Sequence, residues 1–346
     1  MEIKQTLKSL VSIHSITCKE EDVAEKFMQM MKEIGFETWK DQIGNGYTKL
    51  KTPKTGAKTI MLTAHGDESG LVVTGFTDEG FVRIADWSGI DFKILPGSEV
   101  VLHGKKCNYP GVIGILPPHL QKPGDKKAIP ESKLYIDMGT DLKETKNRVD
   151  IGDHVTFRRR FTELLGDRIA TNALDDKLGV TVLVELGKKL MKRKLDVNVI
   201  LVCTTREEIG ADGAKRAALE IGPDLAIAVD TCPGEQFGLS GSPDFEPFAK
   251  DPVLEIGPMV AEKTNKALED AAKRVNLSFK RTTWWGGTEA DQMWMAGLGT
   301  NVGVITIPIR YLHQPVEMVD LATAENTVSI LDEFVAWLDS DMKEIL

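Results

Sequence analysis

Five short segments of this chain hold side chains that could grip divalent metal ions and move a proton. They are His65-Gly66-Asp67, Asn172 to Asp176 (N-A-L-D-D), Glu207-Glu208 within T-R-E-E-I-G-A-D-G-A, Asp230 and His313. Each lies just after an apolar, strand-like run or beside Gly or Pro. Imidazoles and carboxylates at strand ends, with one carboxylate left over to act as a base, form the inventory of a two-metal hydrolase. A carboxylate after a buried strand, taken alone, is more often a helix cap or a surface group. The joint pattern is what points to chemistry.

Spacing assigns provisional roles. His65 and Asp67 are two residues apart, so on extended backbone they point to one side. The carboxylate could then bind a metal or orient the imidazole. Gly66 and the string Glu68-Ser69-Gly70 predict that this turn is exposed. Asp175 and Asp176 stand before the helix predicted from Leu178. Asp176 or Asn172 could cap that helix while Asp175 points inward, or both acids could simply cap and favour the helix dipole. Glu207 and Glu208 are adjacent, and on extended backbone they would face opposite ways. One could then ligate a metal while the other handles a proton, the alternative being a solvated acidic turn. His313 lies in R-Y-L-H-Q-P-V-E, where Pro315 keeps the backbone out of helix. His14, His103, His119 and His154 have no comparable partners in the sequence and read as structural or surface residues.

These residues need a scaffold that ends several strands in one place. Val23, Phe27, Met30, Met31 and Ile34 recur at helical spacing, with Gly35 as the stop. Thr59 to Ala64 is a short buried strand leading into His65. From about residue 70 to 163 the texture changes to short strand-like runs: 71–76, 81–85, 99–102, 112–116, 134–137 and 155–157. Gly, Pro and Asp punctuate them and no helix is predicted among them. This is a small, mostly β unit of barrel type, with a polar, Pro-bearing loop at 117–130. Beyond residue 170, helices at 178–190, 213–221, 264–275 and 321–338 alternate with strands at 197–203, 225–229 and 302–307. That alternation predicts an α/β fold, a mostly parallel sheet with helices on both faces. Residues 1–69 and 164–346 would form it, interrupted by the β insertion at 70–163. In such sheets ligands sit at the carboxyl ends of the strands, where His65 and Asp67, Glu207 and Glu208, and Asp230 fall.

Bulk properties narrow the partners. The 346 residues are 42% hydrophobic and 27% charged, as expected of a globular protein with two domains. A formal net charge of -9 argues against nucleic acid as a partner. The four cysteines, Cys18, Cys107, Cys203 and Cys232, are scattered without a C-x-x-C pair. This disfavours a disulfide scaffold or a thiolate zinc site and suits a reducing cytoplasm. The first ten residues read as an amphipathic helix, not a secretion signal. No run approaches the ~20 apolar residues that a membrane span needs. Neither a dinucleotide fingerprint, a Walker loop, a G-x-S-x-G elbow nor an H-E-x-x-H helix is present.

Taken together, the strings A-H-G-D-E-S-G, N-A-L-D-D-K-L-G, E-E-I-G-A-D-G-A, A-V-D-T and R-Y-L-H-Q-P-V-E resemble a known family. It comprises the cobalt- or zinc-dependent aminopeptidases that include glutamyl aminopeptidases and the tetrahedral, dodecameric aminopeptidases, some of them labelled endoglucanase or cellulase. The strings fall in family order between residues 64 and 317. The resemblance implies a zinc-peptidase-like fold and two divalent ions per subunit, zinc or cobalt, with manganese as a further choice. It implies that His65 and Asp230 bind one ion, Glu208 and His313 the other, and Asp175 both. Glu207 would be the general base and Asp67 the support of His65. It also implies short peptides as substrates, cut from the N-terminus, and a homo-oligomer between a dimer and a dodecamer, with the β insertion as the assembly domain.

Asp67 and Asp175 are 108 positions apart, leaving room for that insertion. Related dimetal carboxypeptidases and deacylases place their extra domain later, so the spacing favours the aminopeptidase branch over that alternative. A glycosidase needs two carboxylates ~5–9.5 Å apart across the scissile bond and would leave His65 and His313 without a role. A metal-bound scaffold without catalysis is the non-enzyme alternative, and the presence of Glu207 speaks against it. The chain departs from the family pattern at Ser69, at Gln314 and at Glu289, which stands where the family has Asp in G-G-T-D-A. Trp284 and Trp285 precede that stretch and Asp291 follows it.

Overall fold

The computed structural model describes residues 2–50, 54–120, 129–238, 247–248, 250–283, 287–297 and 299–341. Residues 121–128 of the Pro-bearing loop, and Trp284, Trp285 and Gly286, lie outside the described residues. The chain divides into two compact units, one of Met1–Glu68, Phe161–Leu312 and Glu317–Leu346, the other of Ser69–Arg160 and His313–Val316.

The larger unit begins with α1 (Glu2–Val11), α2 (Glu21–Ile34), β1 (Glu37–Lys40), β2 (Gly46–Leu50) and β3 (Thr59–His65). The smaller unit holds β4 (Leu71–Phe76), β5 (Val82–Asp86), β6 (Glu99–His103), β7 (Asn108–Ile113), β8 (Tyr135–Asp137), α3 (Leu142–Arg148) and β9 (His154–Phe157). The larger unit resumes with β10 (Phe161–Glu163), β11 (Arg168–Thr171), α4 (Leu174–Leu190), β12 (Asn198–Thr204), α5 (Asp212–Ile221) and β13 (Leu225–Pro233). It ends with β14 (Val253–Ile256), α6 (Glu262–Arg274), β15 (Lys280–Thr283), α7 (Ala290–Met293), β16 (Asn301–Ile309), β17 (Glu317–Asp320) and α8 (Leu321–Asp341).

The large sheet runs β1-β2-β12-β3-β13-β16-β14-β15. Its centre is parallel: β12 pairs with β3, β3 with β13, and β13 with β16. Alternation along these strands sorts side chains to two faces. Ile60, Leu62, Val199, Leu201, Ile305 and Ile307 join the core with Phe27 of α2, Leu183 of α4 and Phe334 of α8. Met61, Ile200, Val202, Ala226, Ala228 and Val304 pack on the other face with Ala214 and Ala217 of α5 and Met293 of α7. Helices therefore cover both faces, as the alternating pattern predicts. Each such Val, Leu, Ile, Met or Phe side chain contributes roughly 1.5–3 kcal/mol on burial. Helix α4 is buried on nearly every side, from Leu174 through Leu190, so it sits inside the unit and holds whatever stands at its start in a fixed place.

The smaller unit is a closed barrel, β4-β5-β8-β7-β6-β9, around Leu71, Val82, Val100, Leu102, Ile136 and Val155. Its six strands match the six apolar runs to within a few residues. Three features go beyond the sequence reading. Helix α3 lies where no helix was predicted. It is short and polar, and Asp141 caps it by accepting a hydrogen bond from the Glu144 amide. Strands β1 and β2 form an antiparallel hairpin at the sheet edge, too short and too polar to stand out. A second sheet, β10-β11-β17, joins segments about 150 residues apart, a pairing that no local pattern encodes. Gly35 ends α2 with φ of 115°, a left-handed cap that suits glycine.

Candidate metal centre

The parallel register sets strand ends side by side. Cys203 is level with Ala64 and Thr204 with His65, so β3 and β12 finish together. His65 is the last residue of β3, and Glu207 follows three residues after β12. Asp230 lies within β13, whose pairing with β16 continues to Pro233. Asp175 stands at the start of α4, where its backbone and that of Asp176 are non-helical. Asp176 Oδ1 accepts from the Gly179 amide at 2.9 Å. Asp176 thus caps the helical turns that follow, and Asp175 is left to face the cluster.

The structure brings several of the sequence candidates together: His65, Asp175 and Asp230 each offer a ligand atom within 4.8 Å of the others. His65 Nε2 lies 3.2 Å from Asp175 Oδ1 and 3.8 Å from both Asp230 Oδ1 and Glu207 Oε2. On the other side of the ring, His65 Nδ1 is 3.1 Å from the Asp67 carbonyl oxygen and 3.5 Å from Asp67 Oδ1. A proton on Nδ1 would satisfy Asp67 and leave the Nε2 lone pair facing the cluster, the arrangement of a metal-ligating histidine and its support.

Asp67 does more than face His65. Its Oδ1 accepts from the Glu207 amide at 3.1 Å and its Oδ2 from the Glu208 amide at 3.2 Å. The Thr17 hydroxyl donates to Oδ2 at 2.9 Å. One buried carboxylate therefore holds the histidine and the backbone of both glutamates. Glu317 Oε2 likewise accepts from the Leu174 amide at 2.6 Å, next to Asp175.

Two local expectations are corrected. The His65–Glu68 turn is buried, not exposed: His65, Asp67 and Glu68 are all within 3% of full burial. The segments after α1 and at the start of α4 cover it, and neither is near in sequence. Glu207 and Glu208 stand in a 3-10 turn, Glu207–Ile209, instead of extended backbone. Successive residues on such a turn still diverge, by about 120°, so the two side chains keep different directions. Left-handed backbone recurs at this end of the unit, at Ala173 (φ 59°) and Arg206 (φ 62°), and at His313 (φ 57°). Each costs of order 1–3 kcal/mol and turns the chain sharply before or at a candidate ligand.

Burial and mutual repulsion of the acids dominate the electrostatics. Burial, with the charges of Asp175 and Asp67, pushes the Glu207 carboxyl up to about 7, against the pull of His65. Burial, then Asp176, Asp175 and Glu207, raise Asp230 well above the carboxylate range. Burial would lower the His65 pKa, but hydrogen bonds to Asp175 and Asp67 and the charge of Glu207 outweigh it and raise it well above its usual value. Such a concentration of buried acid against one imidazole is relieved by a bound cation. The donors are nitrogen and oxygen, which suit zinc, cobalt or manganese. Burial raises the pKa of the neighbouring Cys203 thiol, keeping a thiolate out of the set.

Other predicted residues sit as follows. Glu289 is buried, accepts a hydrogen bond from Thr204, and its pKa is raised by burial against the pull of His65 and Thr204. Asp291 Oδ2 accepts from the Gly287 amide at 2.5 Å, and Ser69 and Gln314 are half-buried. His103 bonds Asn108 and Thr156, and His154 meets Trp87 edge-on. Sequence reasoning missed Thr17, Glu20, Lys177 and Glu317. Glu20 Oε1 accepts from the Arg206 amide at 2.9 Å, and burial, then the Asp67 charge, push its carboxyl up to about 7. Lys177, directly after two acids, and Glu317, which closes the string R-Y-L-H-Q-P-V-E, lie within quoted motifs; Thr17 and Glu20 left no trace.

Gly66 allows the close approach of β12 and α2. A Cβ there would lie 2.7 Å from Val23 Cγ1 and 2.9 Å from Cys203 Sγ. Gly66→Ala is expected to cost about 1–3 kcal/mol by overpacking, read as a lower midpoint in urea unfolding.

A mostly parallel sheet with a buried imidazole and several acids gathered toward one end of its central strands is a frame suited to hydrolysis. The model of the M42 glutamyl aminopeptidase family matches residues 44–330, and the chain belongs to that family, as the five strings suggest. It is 28% identical to the lysyl aminopeptidase of Pyrococcus furiosus over 314 residues, 89% of each chain. An aminopeptidase from the archaeon Desulfurococcus kamchatkensis superposes with a TM-score of 0.90 at 31% identity, over 96% of this chain and 94% of that one. The TET1 peptidase of Pyrococcus horikoshii, which can assemble into a tetrahedron or a large octahedral shell, gives 0.86 at 30% identity, over 96% and 99%. The protein is thus an aminopeptidase-type hydrolase. No helix among the described residues is long and apolar enough to cross a membrane, and the free cysteines are Cys18, Cys107, Cys203 and Cys232.

Proposed function

We propose that this chain removes N-terminal residues from short peptides with two divalent ions, zinc or cobalt first, manganese next. The observation that carries the reading is the buried cluster in which His65, Asp175 and Asp230 offer ligand atoms within 4.8 Å of one another, with Glu207 Oε2 3.8 Å from His65 Nε2. His65 and Asp230 would hold one ion with Asp175, and Glu208 and His313 the other. Bound there, the ions would supply Lewis acidity, polarising the scissile carbonyl and acidifying a water.

The chain's own residues do the rest. Glu207 takes the proton of the attacking water and passes one to the leaving amine. Its carboxyl, already pushed up to about 7, is well matched to that exchange near neutral pH. Asp67 fixes His65 and, through the two amides, the direction in which Glu207 and Glu208 leave the backbone. The peptide's free amine would dock against this acid-rich end, which favours substrates with an unblocked N-terminus. The family membership favours this over a carboxypeptidase or deacylase.

The barrel unit is proposed as the assembly domain of a cytoplasmic homo-oligomer, supported by the assembly of the P. horikoshii relative. The test of the metal reading is removal. Dialysis against a strong chelator should abolish hydrolysis of aminoacyl-anilides, and zinc, cobalt or manganese should restore it. Full activity in protein shown by elemental analysis to be metal-free would end the proposal.

A further inference from the structure

Lys177 has no exposed side-chain surface, and its Nζ donates to Glu68 Oε1 at 3.1 Å and to the Ile13 carbonyl at 2.5 Å. Glu68 Oε1 also accepts from the Ser15 amide at 2.7 Å, and the Ser15 hydroxyl donates to the Gly66 carbonyl at 2.7 Å. The Glu68 amide in turn donates to the Ser15 carbonyl at 3.0 Å. Lys177 stands two residues after Asp175, and Glu68 one residue after Asp67. The pair therefore ties the turn that bears His65 and Asp67 to the start of α4, which bears Asp175, and anchors both to the connection between α1 and α2.

A buried ion pair adds little net stability over apolar packing, so its presence here asks for another reason. Fixing the register of two ligand-bearing turns is such a reason. The sequence separation of Glu68 and Lys177 is 109 residues, and the sheet alone does not set the position of α4's first turn, where backbone regularity is lost.

We propose that Lys177, through Glu68, is a positioning residue that holds His65 and Asp175 at metal-binding separation. This rests on the reading of those residues as metal ligands. Support of this indirect kind is worth about 10–100-fold in metal affinity.

The experiment measures zinc affinity of the full chain by competition with a chromophoric chelator, together with kcat, KM and thermal unfolding after chelation. Lys177→Met should weaken zinc binding by roughly 10–100-fold and lower kcat at saturating zinc, with KM little changed. Lys177→Arg should recover part of the affinity, as should Glu68→Gln added to Lys177→Met, because it removes the stranded charge. Wild-type zinc affinity in Lys177→Met, with only a lower melting temperature, would overturn the proposal and leave the pair a structural one. If Lys177→Met does not fold, Lys177→Arg decides: reduced affinity supports the proposal and unchanged affinity overturns it. A wild-type chain that binds no divalent ion fails the metal reading instead, and the proposal falls with it. A wild type that binds while Lys177→Met also binds normally fails this proposal alone.

Discussion

Glu207→Gln is expected to leave the protein folded, with its metal content unchanged, and to lower kcat by about 10²–10⁴-fold. The amide keeps the size and direction of the side chain but cannot accept a proton. The Glu207 backbone amide would still donate to Asp67 Oδ1, so the turn and its neighbour Glu208 should stay in place. KM should move little, since the lost interaction belongs to the transition state. Steady-state kinetics on an aminoacyl-anilide, with elemental analysis of the same sample, makes the check. Turnover within a factor of a few of wild type would remove Glu207 from the role of base and shift attention to Glu289, a buried glutamate that accepts a hydrogen bond from Thr204.

Asp175→Asn should do more damage to metal binding than any other single change, because the residue is proposed to bind both ions. Support for a metal ligand is by itself worth about 10–100-fold in affinity, and removal of a ligand shared by two ions should exceed that. The expected result is protein with less than two bound equivalents after gel filtration and activity below about 1% of wild type, a lower bound set by the same factor. Folding should survive. Asp176, not Asp175, caps the helix, and α4 is held by its buried length. Two full equivalents in Asp175→Asn would show that the ligand set is drawn wrongly. The two variants separate cleanly: one should keep metal and lose turnover, the other should lose both.

The legible parts of the sequence were those with a period, an apolar run or a punctuating residue. Short, nearly continuous apolar runs marked β3, β12, β13 and β16, since a strand covered on both faces carries apolar side chains at successive positions. Gly35 marked the end of α2 because its φ of 115° suits glycine. The barrel strands were legible as short strand-like runs between Gly, Pro and Asp, and α3 was not. Its one signal, Asp141 before a polar stretch, is common in loops. The candidate acids and histidines were legible as types at strand ends. The setting of Asp67 was not, because its partners are Thr17, 50 residues away, and the amides at 207 and 208, about 140 away.

The chain's own order of residues settled the α/β alternation, the place of the barrel insertion and the roster of side chains at strand ends, since each is written in local periodicity and spacing. Tertiary structure alone decided which acid caps and which faces the cluster, that the His65 turn is buried, and that Lys177 joins two distant turns. Those outcomes depend on the register between strands and on which segments cover a turn. Both are set by packing between segments from 50 to 109 residues apart, a distance over which no local pattern in the sequence reaches.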